Sequence, residues 1–266
     1  YQTGVFNFTK GPLINETLTV QRLYLGLLCV YSLIFVIERL LKNRKKYNLF
    51  LAVFFVFFVF LIAGRIAIVS VLFIIIYYVF IFLKSYMRYV VALSILLLTS
   101  FVVFTNNNLS KRIFHSDDNF RTSYFEKIEM HEPRFLIWKY SFELLKETNL
   151  TTGNGFAKTT EKLVEKYTNI TQEKKRNWFI EKEFNTHNQY LDILLSQGIL
   201  GAFVFLIFLV QAFKLAKDSK TNLLLLVSML IYMTVYNNFH RLIGVYLFSL
   251  ILIFILLNQD EKKSIK

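Results

Sequence analysis

The stretch from Tyr47 to Leu83 constrains this chain most: 37 residues with a single charge, Arg65. As one helix it would run about 55 Å, nearly twice the ~30 Å hydrocarbon core of a bilayer. It is better read as two membrane helices meeting at Ala63-Gly64-Arg65, where glycine permits a sharp turn. Similar apolar runs recur along the chain, which is 55% hydrophobic with 29 Phe and only 2 Pro. Seven spans are expected, at roughly 20–37, 47–64, 66–83, 89–105, 189–213, 222–236 and 242–257, taking about 20 residues per crossing. The expected fold class is therefore all-α: a polytopic helical membrane protein with one large helical loop. Residues 1–105 hold about four N-terminal membrane helices, 106–186 the loop, 187–257 about three C-terminal membrane helices and 258–266 a tail.

The net charge of +13 does not mark a nucleic-acid partner, because no basic helix or arm carries interleaved aromatics. Many basic residues sit in short segments between apolar runs, which is how topology is written. Arg39, Lys42, Arg44, Lys45 and Lys46 lie in one such segment. Lys84 and Arg88, then Lys214, Lys217 and Lys220, and finally Lys262, Lys263 and Lys266 fall on the same side. The opposite short connections hold Arg65 and Arg241. The positive-inside rule puts the basic segments and the C-terminus in the cytoplasm, and Arg65, the 106–186 loop and the 236–241 turn outside. Cys29 is the only cysteine, so an intrachain disulfide is excluded. The chain begins at Tyr1 without a signal peptide, and a longer parent protein is expected.

The outer loop is 81 residues long, too long for an unstructured connector. Pro133 precedes an amphipathic run from Arg134 to Glu147, with Phe135, Trp138, Phe142 and Leu145 at helical spacing. A second helical run covers about 156–168, and Gly153-Asn154-Gly155 before it reads as a turn. After the loop, Thr186 followed by Gln189 forms a capping-box pattern that would place His187 in the first turn of a membrane helix. A helix N-terminus disfavours imidazolium, so His187 suits a general base. The alternative is that it simply caps a membrane helix.

Arg65, Arg134, His187, His240 and Arg241 are thus expected on one side. Arg65 is either an interfacial anchor or a phosphate clamp, since a guanidinium grips phosphate oxygens in bidentate fashion. Arg134 reads as a surface arginine or a second clamp. His240-Arg241 reads as an interfacial turn, and Asn188 as a holder of a sugar hydroxyl or of the imidazole. His115 and His131 lie in polar loop sequence and are not candidates. No metal-ligand spacing, Walker A motif or dinucleotide fingerprint is present, so no metal and no cofactor are expected. Acidic residues within spans are scarce: Asp192 lies one turn into a span, while Glu38 and Asp218 lie at the cytoplasmic edge. That argues against an ion-coupled transporter.

Three pieces in order resemble one family. His187-Asn188-x-Tyr190-Leu191 with Gly198 and Gly201 resembles the histidine motif of the O-antigen ligase and Wzy-type polymerase superfamily. Gly64-Arg65-Ile66-Ala67 is similar to its Ser-Arg-Gly-Ala-type helix junction, although Ile66 stands where a small residue is common. Arg134-Phe-Leu-Ile-Trp138, then Gly153-Asn-Gly155, resembles its Arg-x-x-x-Trp helix and Gly-x-Gly turn; Ser196 stands where an acid often occurs. The resemblance implies a GT-C-like glycosyltransferase of the bacterial inner membrane, with its site facing the periplasm. Its donor would be an undecaprenyl-pyrophosphate-linked glycan. The acceptor would be a glycolipid or glycan, or a protein hydroxyl as in O-oligosaccharyltransferases. Membrane lipids are the remaining partners. The resemblance makes His187 the essential histidine and Arg65 and Arg134 the pyrophosphate ligands; Asn188, Trp138 and Arg241 are taken as substrate-binding. Family members usually have ten or more membrane helices, so further N-terminal spans are expected. A polysaccharide flippase is the competing class, though the internal repeats and deep polar residues it calls for are not seen.

Overall fold

The computed structural model describes residues 21–62, 64–105 and 132–264. His115, His131 and the first part of the long loop lie outside the described residues. All regular structure among the described residues is helical. The chain forms two compact units, Tyr1–Asn119 and Phe120–Lys266.

The first unit holds α1 (Arg22–Asn43), α2 (Lys46–Leu61), α3 (Arg65–Phe82) and α4 (Met87–Thr105). Only Arg44 and Lys45 separate α1 from α2. Arg44 takes a left-handed conformation and donates its N–H to the Leu40 carbonyl, closing the helix without glycine. Leu27, Val30 and Ile34 of α1 and Val71 and Ile74 of α3 form the buried side of this unit, and α1 packs on both α2 and α3. The 47–83 run is indeed two helices, broken between Leu61 and Arg65. The break does not use glycine's special freedom, since Gly64 has φ −81° and ψ 97°.

The second unit holds α5 (Pro133–Glu147), α6 (Phe156–Tyr167), α7 (Glu173–Lys182), α8 (Gln189–Ala216), α9 (Lys220–Met233), a 3-10 turn (Asn238–His240) and α10 (Leu242–Ser264). Pro133 does open α5, but the buried side of that helix is Leu136, Ile137, Tyr140, Ser141 and Leu144. Phe135 and Phe142, expected on the apolar face, point outward. Both sides of α5 carry large apolar residues, so spacing alone selects neither. Helix α7 was not foreseen, because Glu173-Lys-Lys-Arg-Asn is polar throughout and only Phe179 is buried. One core joins these elements: Leu136, Ile137, Tyr140 and Leu144 of α5, Leu163 and Tyr167 of α6, Phe179 of α7, and Leu191 and Leu195 of α8.

Each of the seven expected spans coincides with an apolar helix, but among the described residues only Arg22–Asn43, Arg65–Phe82 and Gln189–Ala216 are long and apolar enough to cross a bilayer. Lys46–Leu61, Met87–Phe101, Lys220–Met233 and Leu242–Asn258 are shorter apolar helices. Outward-facing Phe57, Leu98 and Phe203 are each more than half exposed. Such surface suits lipid rather than water.

Candidate active site

Helix α8 is not the continuous rod that its hydropathy suggested. Gly198 has φ 66° and ψ −166°, a region essentially reserved for glycine, and it breaks α8 into 189–197 and 199–216. Backbone groups freed by such a break need partners. The segment before α6 supplies them: Asn154 N–H donates to the Leu195 carbonyl at 2.9 Å, Gly155 N–H to Ser196 at 2.7 Å, and Ile199 N–H to Leu150 at 2.7 Å. The approach is so close that a Cβ on Gly153 would lie 2.5 Å from the Ser196 carbonyl carbon. A Cβ on Gly198 would lie 2.5 Å from the Thr151 carbonyl oxygen. The two glycine motifs, over 40 residues apart in sequence, are thus two halves of one joint. Asn154 pins it further, donating to Thr148 Oγ1 at 2.8 Å and accepting from Lys162 Nζ at 2.6 Å.

The joint changes where His187 stands. Residues 189–198 are largely buried in protein, whereas 199–216 present mostly exposed apolar side chains. The latter part, about 27 Å long, suits a bilayer crossing by itself. His187 therefore heads a protein-packed segment rather than the crossing itself. It also lies outside the helix, because the cap is Asn188, whose Oδ1 accepts from Tyr190 N–H and Leu191 N–H, both at 3.0 Å. The expected capping box does not form. Gln189 Oε1 instead accepts from Phe239 N–H at 2.8 Å, and Thr186 turns into a buried polar cluster.

His187 has φ 47°, an uncommon conformation for a residue with a Cβ. Its backbone N–H donates to Asn185 Oδ1 at 3.2 Å. The ring lies between Phe184 and Tyr236, at centroid distances of 5.7 and 5.9 Å, and Nδ1 is buried without a hydrogen-bond partner. Burial first, then the positive charges of Arg134 and Arg241, hold its pKa down at about 4, against a smaller opposing effect of Glu132. The ring is neutral at pH 7, as expected from the sequence, but for a different reason: burial and two arginines rather than the helix dipole.

The second unit thus brings Arg134, His187 and Arg241 together. Arg134 donates from Nη1 to Glu132 at 3.0 Å and from Nε to the Val235 carbonyl at 3.3 Å, which ties the start of α5 to the end of α9. Trp138 donates its indole N–H to the Thr186 carbonyl at 3.1 Å, and so holds the His187 loop from behind. Arg65 is the exposed first residue of α3, in the other unit. The pair that sequence reading did not link is Asp192 and His240. Asp192, 2% exposed, accepts from His240 Nε2 at 2.8 Å. That bond raises the pKa of His240 above its ordinary value. Asp192 was noted only as an acid in a span, and nothing local links it to a histidine 48 positions away.

Fold and site together define a helical membrane protein with a buried, neutral histidine within electrostatic reach of two arginines. A family model described as O-antigen ligase matches residues 49–206, more than half of the chain and including Arg65, Arg134 and His187. The chain belongs to the O-antigen ligase family, whose chemistry is glycan transfer in lipopolysaccharide synthesis. No curated protein and no solved structure matches it.

Proposed function

We propose that this protein transfers a glycan from an undecaprenyl-pyrophosphate-linked donor to an acceptor hydroxyl at the periplasmic face of the bacterial inner membrane. The observation that carries the reading is His187: a neutral imidazole with an unpartnered buried Nδ1, within electrostatic reach of Arg134 and Arg241. A base must be unprotonated before the reaction, and a departing pyrophosphate needs fixed cations. His187 takes the proton of the acceptor hydroxyl as its oxygen bonds to the anomeric carbon. The bond from that carbon to the pyrophosphate oxygen breaks, the electron pair leaves with undecaprenyl pyrophosphate, and the anomeric centre inverts. Arg134 and Arg241 balance the growing charge. Pyrophosphate is a good leaving group, so the scheme uses no metal.

For Arg65, which heads α3 in the first unit, the pyrophosphate role rests on the motif resemblance alone. Asn188 has its amide oxygen engaged in the helix cap and Trp138 its N–H in the loop, so each reaches substrate with its remaining surface: the Asn188 Nδ2 and the Trp138 ring. The test is transfer from a lipid-linked donor by the purified full chain. His187→Ala is expected to abolish turnover while retaining donor binding, and full activity in that variant would sink the base assignment.

A further inference from the structure

Asp192 is the least expected group in the second unit. A carboxylate 2% exposed in an apolar helix is costly unless it is paired and hydrogen-bonded. Its Oδ2 accepts a hydrogen bond from His240 Nε2 at 2.8 Å, and its Oδ1 lies 3.2 Å from Thr186 Oγ1. These partners belong to the two segments that frame the site: Thr186 immediately precedes His187, and His240 immediately precedes Arg241. Further bonds run between the same segments. Thr186 Oγ1 accepts from Asn237 Nδ2 at 2.8 Å, and its single proton has the Asn188 carbonyl, Asp192 Oδ1 and Asn237 Oδ1 within 3.2 Å. With the His240 proton on Nε2, Nδ1 can accept from Asn185 Nδ2, which stands 3.5 Å away. Asn185 in turn holds the His187 backbone N–H.

We propose that Asp192 is a positioning residue for the transfer: by holding Thr186 and His240 at once, it locks the loop carrying His187 onto the turn carrying Arg241. This rests on the reading of His187 as the base. A carboxylate suits the task because it accepts from both sides and its hydrogen bonds are charge-assisted, near the positive end of α8. The lock also accounts for His187 staying at φ 47°, a conformation that persists only where the surroundings over-determine it.

The test uses the full chain in proteoliposomes with isotope-labelled histidine rings, comparing Asp192→Asn, His240→Ala, the double variant and His187→Ala. Asp192→Asn is nearly isosteric, so folding is preserved while one acceptor and the charge are lost. Each single change is expected to lower kcat by roughly tenfold to a hundredfold, the scale of a small misplacement of a reacting group. Donor KM should change less than kcat, because Arg134 keeps its own bonds to Glu132 and the Val235 carbonyl. The double variant should be no worse than the poorer single one, as for residues acting as a unit. The His187 ring resonance should shift alike in both single variants. Unchanged kcat in Asp192→Asn, multiplying losses in the double variant, or an unmoved His187 resonance would each overturn the proposal. Full transfer by His187→Ala would instead overturn the base reading, and the ring resonance would still decide whether Asp192 holds that loop.

Discussion

His187 answers to two constraints at once. Its backbone sits at φ 47°, on the order of 1 kcal/mol above an ordinary conformation. Its ring is held neutral by burial and by Arg134 and Arg241. The second constraint has a kinetic consequence. In the free enzyme the imidazole stays unprotonated down to about pH 4. A bound pyrophosphate brings negative charge to the same arginines, cancels part of their repulsion of imidazolium and raises the pKa. The donor therefore strengthens the base it needs. The acid limb of kcat, which reports the donor complex, is expected at higher pH than that of kcat/KM, which reports the free enzyme. Coincident limbs would show that the arginines do not carry the pyrophosphate. His187 was legible in sequence as the candidate base through the motif around it. Its neutrality was anticipated too, yet attributed to a dipole when burial by Phe184 and Tyr236 and two cations bring it about.

Among the elements, α8 departs most from its sequence pattern. Hydropathy reports how apolar a run is, and the run is apolar on both sides of Gly198, so a break satisfied by distant backbone leaves no trace in it. The joint between 150–155 and 195–199 makes two glycines indispensable. Gly153→Ala and Gly198→Ala each drive a methyl into backbone at a positive φ, and each should destabilise the second unit by at least about 2 kcal/mol. Thermal unfolding in detergent checks this. Gly155→Ala provides the contrast: its Cβ would meet nothing within 4 Å, leaving only the strain of φ 83°, so its Tm should fall less. A Gly198→Ala protein as stable as the parent would mean that α8 runs straight.

At the scale of the molecule, the described part of the long loop, 132–186, and the C-terminal helices belong to one unit, since α8 gives Leu191 and Leu195 to the loop helices' core. The same chain shows exposed apolar side chains along α2, α4 and the second part of α8, as a bilayer requires. The charge distribution of the short segments sets an expected orientation that labelling can read. Cys29 is buried, so single cysteines can be introduced beside it. Lys158→Cys on α6 should react with a membrane-impermeant maleimide from the periplasmic side. Lys45→Cys, in the α1–α2 corner, should react only after the inner membrane is opened. The reverse pattern would invert the topology and remove the periplasmic site.

The sequence by itself determined the helical membrane class, the split of the 47–83 run, the order of the apolar helices and the family, because hydropathy, charge and short motifs are local properties. It also determined the candidate histidine and arginines as residue types at motif positions. Only the tertiary structure decided that Gly198 and Gly153 form one joint, that α5 buries Leu136 and Tyr140 rather than Phe135 and Phe142, and that Asp192 meets His240. The reason is common to all three. A buried backbone group or carboxylate is stable only with a partner, and the partner is set by packing between segments tens of residues apart, where no local pattern carries the information.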